Sequence, residues 1–278
     1  MKASTIVKIV IFILLLVAAH ALLGVACGKV QKEYQALFSL EKPMLTLAIW
    51  VFGSILLVVL AGDLVATLVR PTWIIVLGYF LSALVMFLMW NISFFSALAS
   101  LIYFLLAVGF NLTISEELKA RVAFSIRPIE QGQKFLLFGL VLMLSISFVQ
   151  GYVADVRQNG QLIPEMYKQK ISDALMRSVV TEIDKQAILD PIEKTMALQQ
   201  LQQVMTDFWN EVDKAAQPYA LYIPLMVGAV VFWLFQTFLS LLSWLPPLIL
   251  GILLSMQKAF GVTKEVVETK EVRRLVLG

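Results

Sequence analysis

The sequence contains few of the residues from which enzyme and metal sites are usually built. Its 278 residues include one cysteine, Cys27, and one histidine, His20. A single cysteine excludes an internal disulfide and any metal site made of several cysteines. With only one histidine as well, most nucleophilic and metal-assisted mechanisms lack their side chains. The sequence therefore predicts a non-enzymatic protein, with no catalytic residue, metal site or cofactor.

Charged residues are also scarce, whereas apolar residues are in excess. Charged residues make up 15% of the chain and hydrophobic residues 60%, and the mean hydropathy is +0.85. Soluble domains average about 25% charged and about 45–50% apolar residues. The net charge of +3 is small and no basic patch is interleaved with aromatic residues, so no nucleic-acid partner is expected. The sequence predicts an all-α fold, a polytopic membrane helical bundle of about six or seven spans in a lipid bilayer.

The apolar runs divide the chain into regions. Region 1–154 contains five predicted spans, at 5–26, 44–69, 73–90, 93–111 and 135–154. The run from Trp73 to Asn111 would be roughly 60 Å long as one helix, so we place a tight turn at its polar interruption, Trp90–Ser93. We expect a polar loop over Thr113–Lys134. Region 218–258 contains a span at 218–243 and a short or re-entrant segment at 245–257, and residues 259–278 form a charged tail.

The first apolar run has three interpretations. Lys2 and Lys8 precede a long apolar core that ends at the small residues before Cys27. This pattern is typical of an uncleaved span, but a cleaved signal peptide has a similar pattern. A lipid-anchored Cys27 is the third interpretation, although Gly24 stands where a larger apolar residue is usual. Gly24 and Gly28 form a pair of small residues four apart, which favours close helix contact.

Region 155–217 is the one long polar stretch, and it predicts an extramembrane antiparallel helical hairpin. Asp190 can cap a helix that starts at Pro191, and a short link makes neighbouring helices antiparallel. We expect helices over Glu165–Lys185 and Pro191–Ala215. Apolar residues recur at helical spacing in both, namely Tyr167, Ile171, Leu175, Val179 and Ile183 in the first, and Leu201, Val204, Met205, Phe208, Trp209 and Val212 in the second. Of these, Leu175, Val179, Leu201 and Phe208 are expected to be mutually buried.

The hairpin is the predicted point of contact with other proteins. Its apolar stripes either only close the hairpin on itself, or present Tyr167, Phe208 and Trp209 to a protein partner. With seven basic and ten acidic residues the region carries a charge of −3, which suits neither nucleic acid nor an anionic membrane surface. The hypothesis is an integral membrane protein that presents this hairpin for protein–protein interaction in envelope assembly, secretion or scaffolding.

Three polar residues lie within predicted spans: His20, Asp63 and Gln236. Polar groups at membrane depth are costly and often functional. We expect His20 to be neutral and bonded to a backbone carbonyl, and Asp63 to face the bundle interior, toward Gln236 or Arg70. The alternative function is a transporter or channel with Asp63 in the pathway.

The distribution of basic residues predicts the orientation. With the amino terminus in the cytoplasm and six crossings, twelve basic residues lie inside, as the positive-inside bias prefers. The short segment at 245–257 then does not cross. Lys29, Lys32 and Lys42 fall outside, in mild conflict with this bias. The predicted location is the plasma (inner) membrane, with region 155–217 extracytoplasmic.

Two stretches resemble known protein groups. The apolar block followed by a tail like Phe260–Val272 resembles uncharacterised multi-pass proteins found in small bacterial genomes, which implies no activity. Glu116, Glu117 and Arg121 match the Glu-Glu-x-x-x-Arg motif of membrane-embedded CAAX-protease-like enzymes. That family also needs histidines on neighbouring membrane helices, and this chain has only His20, in the first span. The protease pattern is therefore incomplete.

Overall fold

The computed structural model describes residues 3–38, 42–120, 127–186 and 191–261. These residues are helical with no strand, and six of their helices are long and apolar enough to cross a membrane. In chain order the helices are α1 (Ala3–Lys32), α2 (Lys42–Leu68), α3 (Thr72–Trp90), α4 (Phe94–Ala120), α5 (Arg127–Asn159), α6 (Glu165–Gln186), α7 (Pro191–Ala216), α8 (Ile223–Leu241) and α9 (Leu245–Ala259). Helices α1 to α5 and α8 are the six apolar helices, and α6 and α7 form the inserted hairpin. Helix α9 has 15 residues, roughly 22 Å, and is shorter than the hydrocarbon core of about 30 Å.

Several helices extend beyond the predicted spans. Helix α1 continues to Lys32 without a break at Cys27, which is buried. Helix α4 runs to Ala120 and α5 begins at Arg127, so the prediction of a polar loop over Thr113–Lys134 is wrong for most of that stretch. Hydropathy marks the part of a helix that lies in hydrocarbon, whereas polar residues continue the same helix into the headgroup region.

The predicted turn between α3 and α4 is confirmed. Helix α3 ends at Trp90 and α4 begins at Phe94. Ser93 and Ser96 cap the start of α4 reciprocally: Ser96 N–H donates to Ser93 Oγ at 3.2 Å, and Ser93 N–H donates to Ser96 Oγ at 3.1 Å. Such reciprocal bonds satisfy the backbone donors that a helix start leaves unpaired.

Close packing between α1 and α3 depends on two glycines of α1. A Cβ atom added to Gly24 would lie 2.5 Å from the carbonyl oxygen of Met86, and one on Gly28 would lie 3.2 Å from that of Trp90. The absence of a side chain allows the two backbones to approach, as in other small-residue helix contacts. The contact predicted from this pair of glycines is confirmed.

Helix α8 lies at the edge of the bundle. In the apolar part of α5, 67% of the residues are buried, against 11% in α8. Helix α8 packs on α5 and contacts it through Phe232, whose ring centroid lies 5.4 Å from that of Phe138. Helix α9 contacts α2. The buried core therefore lies between α1 and α5, and α8 and α9 are added to its outside.

The hairpin is antiparallel, but its predicted seam is wrong. Leu175 is 47% exposed and Phe208 is 49% exposed. The helices meet instead through Lys168, whose Nζ lies 2.5 Å from Asp213 Oδ2, and through Ser172 beside Trp209. Residues spaced by four advance 400° around a helix at 100° per residue, so the predicted stripe turns 40° at each step away from the partner helix.

Three predictions fall on residues outside the described ranges. The link between the hairpin helices and its cap at Asp190 lie in 187–190, although α7 does begin at Pro191. Most of the charged tail lies in 262–278. Of the protease-like motif, Glu117 lies near the end of α4, and Arg121 is outside the described residues.

Candidate functional site

A group of polar side chains lies in the interior of the helical bundle. We call it the polar core. Its members come from five helices, α1 to α5, and each is almost completely buried: His20, Asp63, Tyr79, Tyr103, Asn111 and Gln133. Buried polar groups in a membrane are costly unless they are paired, so a cluster of six marks the candidate functional site.

His20 on α1 bonds in both directions. Its Nδ1 lies 2.7 Å from the Leu16 carbonyl oxygen, and its Nε2 lies 2.7 Å from the Tyr103 hydroxyl. A carbonyl only accepts, so Nδ1–H donates to Leu16 and Nε2 of the neutral ring accepts from Tyr103. The expectation of an imidazole bonded to a backbone carbonyl is confirmed, and the bond to Tyr103 adds a tie between α1 and α4.

Asp63 on α2 is fully buried and faces the bundle interior, as expected. Its predicted partners were wrong. Gln133 on α5 donates from Nε2 to Asp63 Oδ2 at 2.5 Å. Arg70 donates instead to the carbonyl oxygens of Ala66 and Val69 in its own helix region, at 3.3 and 3.2 Å. Asp63 is thus bonded to a neutral amide.

Gln236 on α8 does not join the polar core. Its side chain is half-buried, and its Oε1 finds no hydrogen-bond partner within the described part of the chain. Helix α8 packs on α5 at the edge of the bundle, whereas Asp63 is enclosed by α2 to α5. Similar depth in the membrane therefore did not bring Gln236 and Asp63 together.

Tyr79 on α3 connects the two halves of the polar core. It lies in electrostatic range of Asp63, of Tyr103 and of the Asn111 side chain. Its ring also meets the His20 ring edge-on, with 6.0 Å between centroids. Its hydroxyl occupies the space beside Gly62, 2.7 Å from where a Cβ would be. Although it is near Asn111, the hydroxyl forms no hydrogen bond of standard geometry with the described residues.

Four members of the polar core were not predicted from the sequence: Tyr79, Tyr103, Asn111 and Gln133. Gln133 fell in the segment assigned to a loop, and Asn111 was placed at a membrane edge. One usable signal was present, because both amides lie next to apolar runs long enough to continue the helix. No signal in a single sequence shows that Tyr79 and Tyr103 turn their hydroxyls inward.

A second polar cluster lies at the base of the hairpin. Tyr34 donates to Asp155 Oδ2, as does Gln35 from Nε2 at 2.9 Å, and Asn159 donates to Asp155 Oδ1 at 2.6 Å. Burial, with the Asp155 carboxylate as a further cause, raises the pKa of Tyr34 well above its usual value. Burial also raises the pKa of Tyr167 to about 12. Both hydroxyls therefore remain protonated at neutral pH, which keeps Tyr34 a donor to Asp155.

The three predicted partner-binding residues have different environments. Tyr167 is half-buried at the hairpin base. Trp209 is half-buried too, and its Nε1–H donates to Ser172 Oγ at 3.0 Å. Only Phe208 is exposed, and its ring contacts that of Trp209 with 5.1 Å between centroids. Trp209 therefore holds the hairpin closed, while Phe208 is available to a partner.

The polar core has the chemistry of a binding site. Within the described ranges, no group of three or more His, Cys, Asp or Glu side chains could hold a metal ion. The core offers one carboxyl group, two amides, two phenols and an imidazole, all withdrawn from water. Comparison with protein-family models, with curated proteins and with solved structures gave no match, so the geometry alone supports the proposals that follow.

Proposed function

We propose that this protein is a non-enzymatic membrane protein of a bacterial envelope, which presents the hairpin α6–α7 to a protein partner in assembly, secretion or scaffolding. The observation that carries the proposal is the exposure of apolar side chains on the hairpin. Ile171 and Leu175 are each 47% exposed and Phe208 is 49% exposed. Exposed apolar residues that form a continuous patch are typical of interaction sites.

These three residues share one side of the hairpin. The seam runs through Lys168 on α6 and Asp213 on α7. At 100° per residue, Ile171 and Leu175 then point to the same side of the plane of the two helix axes as Phe208. Half-buried Met205 and Val212 lie on that side of α7 as well. A partner would meet an apolar strip rather than scattered residues.

The chemistry of the strip favours an amphipathic helix with basic flanks as the partner. Region 155–217 carries a charge of −3, so basic residues on the partner would be complementary. Helices that place apolar residues into a strip between two helices are a recurring mode of recognition, and aromatic residues such as Phe208 supply much of the binding energy.

The substitution Phe208→Asp tests this proposal. We expect at least a tenfold loss of the crosslinked partner recovered from intact membranes, equivalent to about 1.4 kcal/mol of binding, because the ring is replaced by a charge that repels an apolar surface. Thr206→Asp is the matched control, since Thr206 is exposed and points about 200° away around α7. Equal recovery of the partner with both variants would contradict the proposal.

The orientation is also part of the proposal: the amino terminus lies in the cytoplasm and the hairpin outside it. Gln169→Cys, at an exposed site on α6, is expected to react with a membrane-impermeant maleimide in intact cells. Ala259→Cys, at the exposed end of α9, is expected to react only after the membrane is opened. The native Cys27 is buried and should give little background. Labelling of Ala259→Cys in intact cells would show that the proposed orientation is wrong.

A further inference from the structure

The charge of Asp63 has no counter-charge in its surroundings. Asp63 is fully buried, and its hydrogen bond comes from the neutral amide of Gln133. Arg70, the nearest basic residue along α2, is bound to backbone carbonyls. A carboxylate removed from water without a positive partner costs several kcal/mol. A positive charge at this position would remove that cost.

The atoms around Asp63 are oxygens without donors. Four buried oxygen atoms have no hydrogen-bond partner in the parts of the chain that the structure describes, and they come from α2, α3, α4 and α5: Asp63 Oδ1, Tyr79 Oη, Asn111 Oδ1 and Gln133 Oε1. Native structures rarely leave buried acceptors unsatisfied, and an exception calls for an explanation such as an ion.

The four residues converge on one place. Gln133 is hydrogen-bonded to Asp63, and Tyr79 interacts electrostatically with both Asp63 and the Asn111 side chain. Gly62, the neighbour of Asp63, leaves room for the Tyr79 hydroxyl against the α2 backbone. A side chain at position 62 would push the hydroxyl away from Asp63, so the sequence and the packing both hold these oxygens together.

We propose that Asp63, Tyr79, Asn111 and Gln133 form a binding site for one small monovalent cation, with Na⁺ as the representative ion. Asp63 supplies the charge, and the amide and phenol oxygens supply neutral ligands. Hard cations take oxygen ligands such as these. A single carboxylate balances one positive charge, whereas divalent-ion sites usually combine several carboxylates. This site is independent of the hairpin and of its proposed partner.

The position of the site in the membrane gives the ion a way in. Asp63 lies five residues before the end of α2, about 8 Å along the axis at 1.5 Å per residue. An ion would therefore enter from the surface opposite the hairpin, where α2 ends and α3 begins. From there, Tyr79, Tyr103 and His20 continue the polar core toward the middle of α1.

The test is binding of ²²Na⁺ to the purified full-length protein in nanodiscs, in a choline chloride background. We expect saturable binding of one Na⁺ per chain. Asp63→Asn keeps the shape but removes the charge, and it should lower the affinity at least tenfold. Tyr79→Phe removes one oxygen ligand, and it should lower the affinity several-fold while the ring still fills its place. Unlabelled Li⁺ should displace ²²Na⁺ better than K⁺ does.

Thr67→Val is the matched control. Thr67 lies one turn from Asp63, but its hydroxyl bonds to the carbonyl oxygens of Asp63 and Leu64 at 2.8 and 3.1 Å. Its affinity for Na⁺ should equal that of the wild type. If Asp63→Asn does not fold, stabilisation of the wild type and of Tyr79→Phe by Na⁺ in thermal unfolding gives the same comparison.

Two results would overturn the proposal. One is the absence of saturable Na⁺ binding, or binding that Asp63→Asn and Tyr79→Phe leave unchanged. The other is a protonated Asp63, detected in the infrared spectrum as a carboxylic acid band that is lost in Asp63→Asn and does not respond to Na⁺. In that case a proton, and not a metal cation, balances the charge.

Discussion

Replacement of Gly24 by leucine is expected to lower the free energy of unfolding by about 3 kcal/mol, because the new side chain has no room between α1 and α3. Even a Cβ atom at this position would lie 2.5 Å from the Met86 carbonyl oxygen and 2.9 Å from Met89 Cβ. The first of these atoms belongs to the backbone of α3 and cannot rotate away. The helices must separate, and the separation would also disturb the nearby contact of Gly28 with Trp90.

Gly53→Leu provides the control for this substitution. Gly53 is also inside a helix, but nothing lies within 4 Å of the position of its Cβ, and the site is exposed. Leucine there should be neutral or add up to about 1 kcal/mol, since glycine is a poor helix former. Unfolding in mixed micelles, followed by tryptophan fluorescence, measures both variants. Equal midpoints for Gly24→Leu and Gly53→Leu would refute the role of close packing at Gly24.

The substitution Asp213→Ala is expected to destabilise the hairpin by about 2 kcal/mol, because it leaves the Lys168 ammonium group buried without its partner. Lys168 is 7% exposed, and its Nζ contacts Asp213 Oδ2. The loss should be local to α6 and α7. Hydrogen exchange of backbone amides in α6 should become faster, while exchange in α1 to α5 should not change.

A double variant separates the charge from the packing. Lys168→Met with Asp213→Leu removes both charges and keeps apolar volume at the seam, so we expect most of the lost stability to return. If the double variant is as unstable as Asp213→Ala, the cause is a change in packing and not the orphaned charge.

Features that depend on local sequence were predictable. The turn at Trp90–Ser93 is marked by polar residues inside a long apolar run, and a length of roughly 60 Å demands a break there. The inward direction of Asp63 followed from the cost of exposing a carboxylate to lipid. Both predictions use only the residues of one segment and the properties of the bilayer.

Features that depend on which helices are neighbours were not predictable. Asp63 and Gln133 are seventy residues apart, and nothing in the intervening sequence shows that α2 and α5 are in contact. Tyr79 and Asn111 join the polar core for the same reason, through packing of α3 and α4. The seam of the hairpin was missed because a spacing of four residues was treated as a fixed face, although it rotates by 40° at each step.

The two helices that join the hairpin to the membrane have unequal anchorage, and this gives the molecule a mechanical polarity. Helix α5, which leads into α6, is held on most sides by the bundle, whereas α8, which follows α7, has most of its surface in lipid. A pulling force applied to the hairpin would therefore strain the α8 attachment first, because fewer side-chain contacts resist it. Helix α5 would serve as the fixed post, and α7 and α8 as the arm that yields under load.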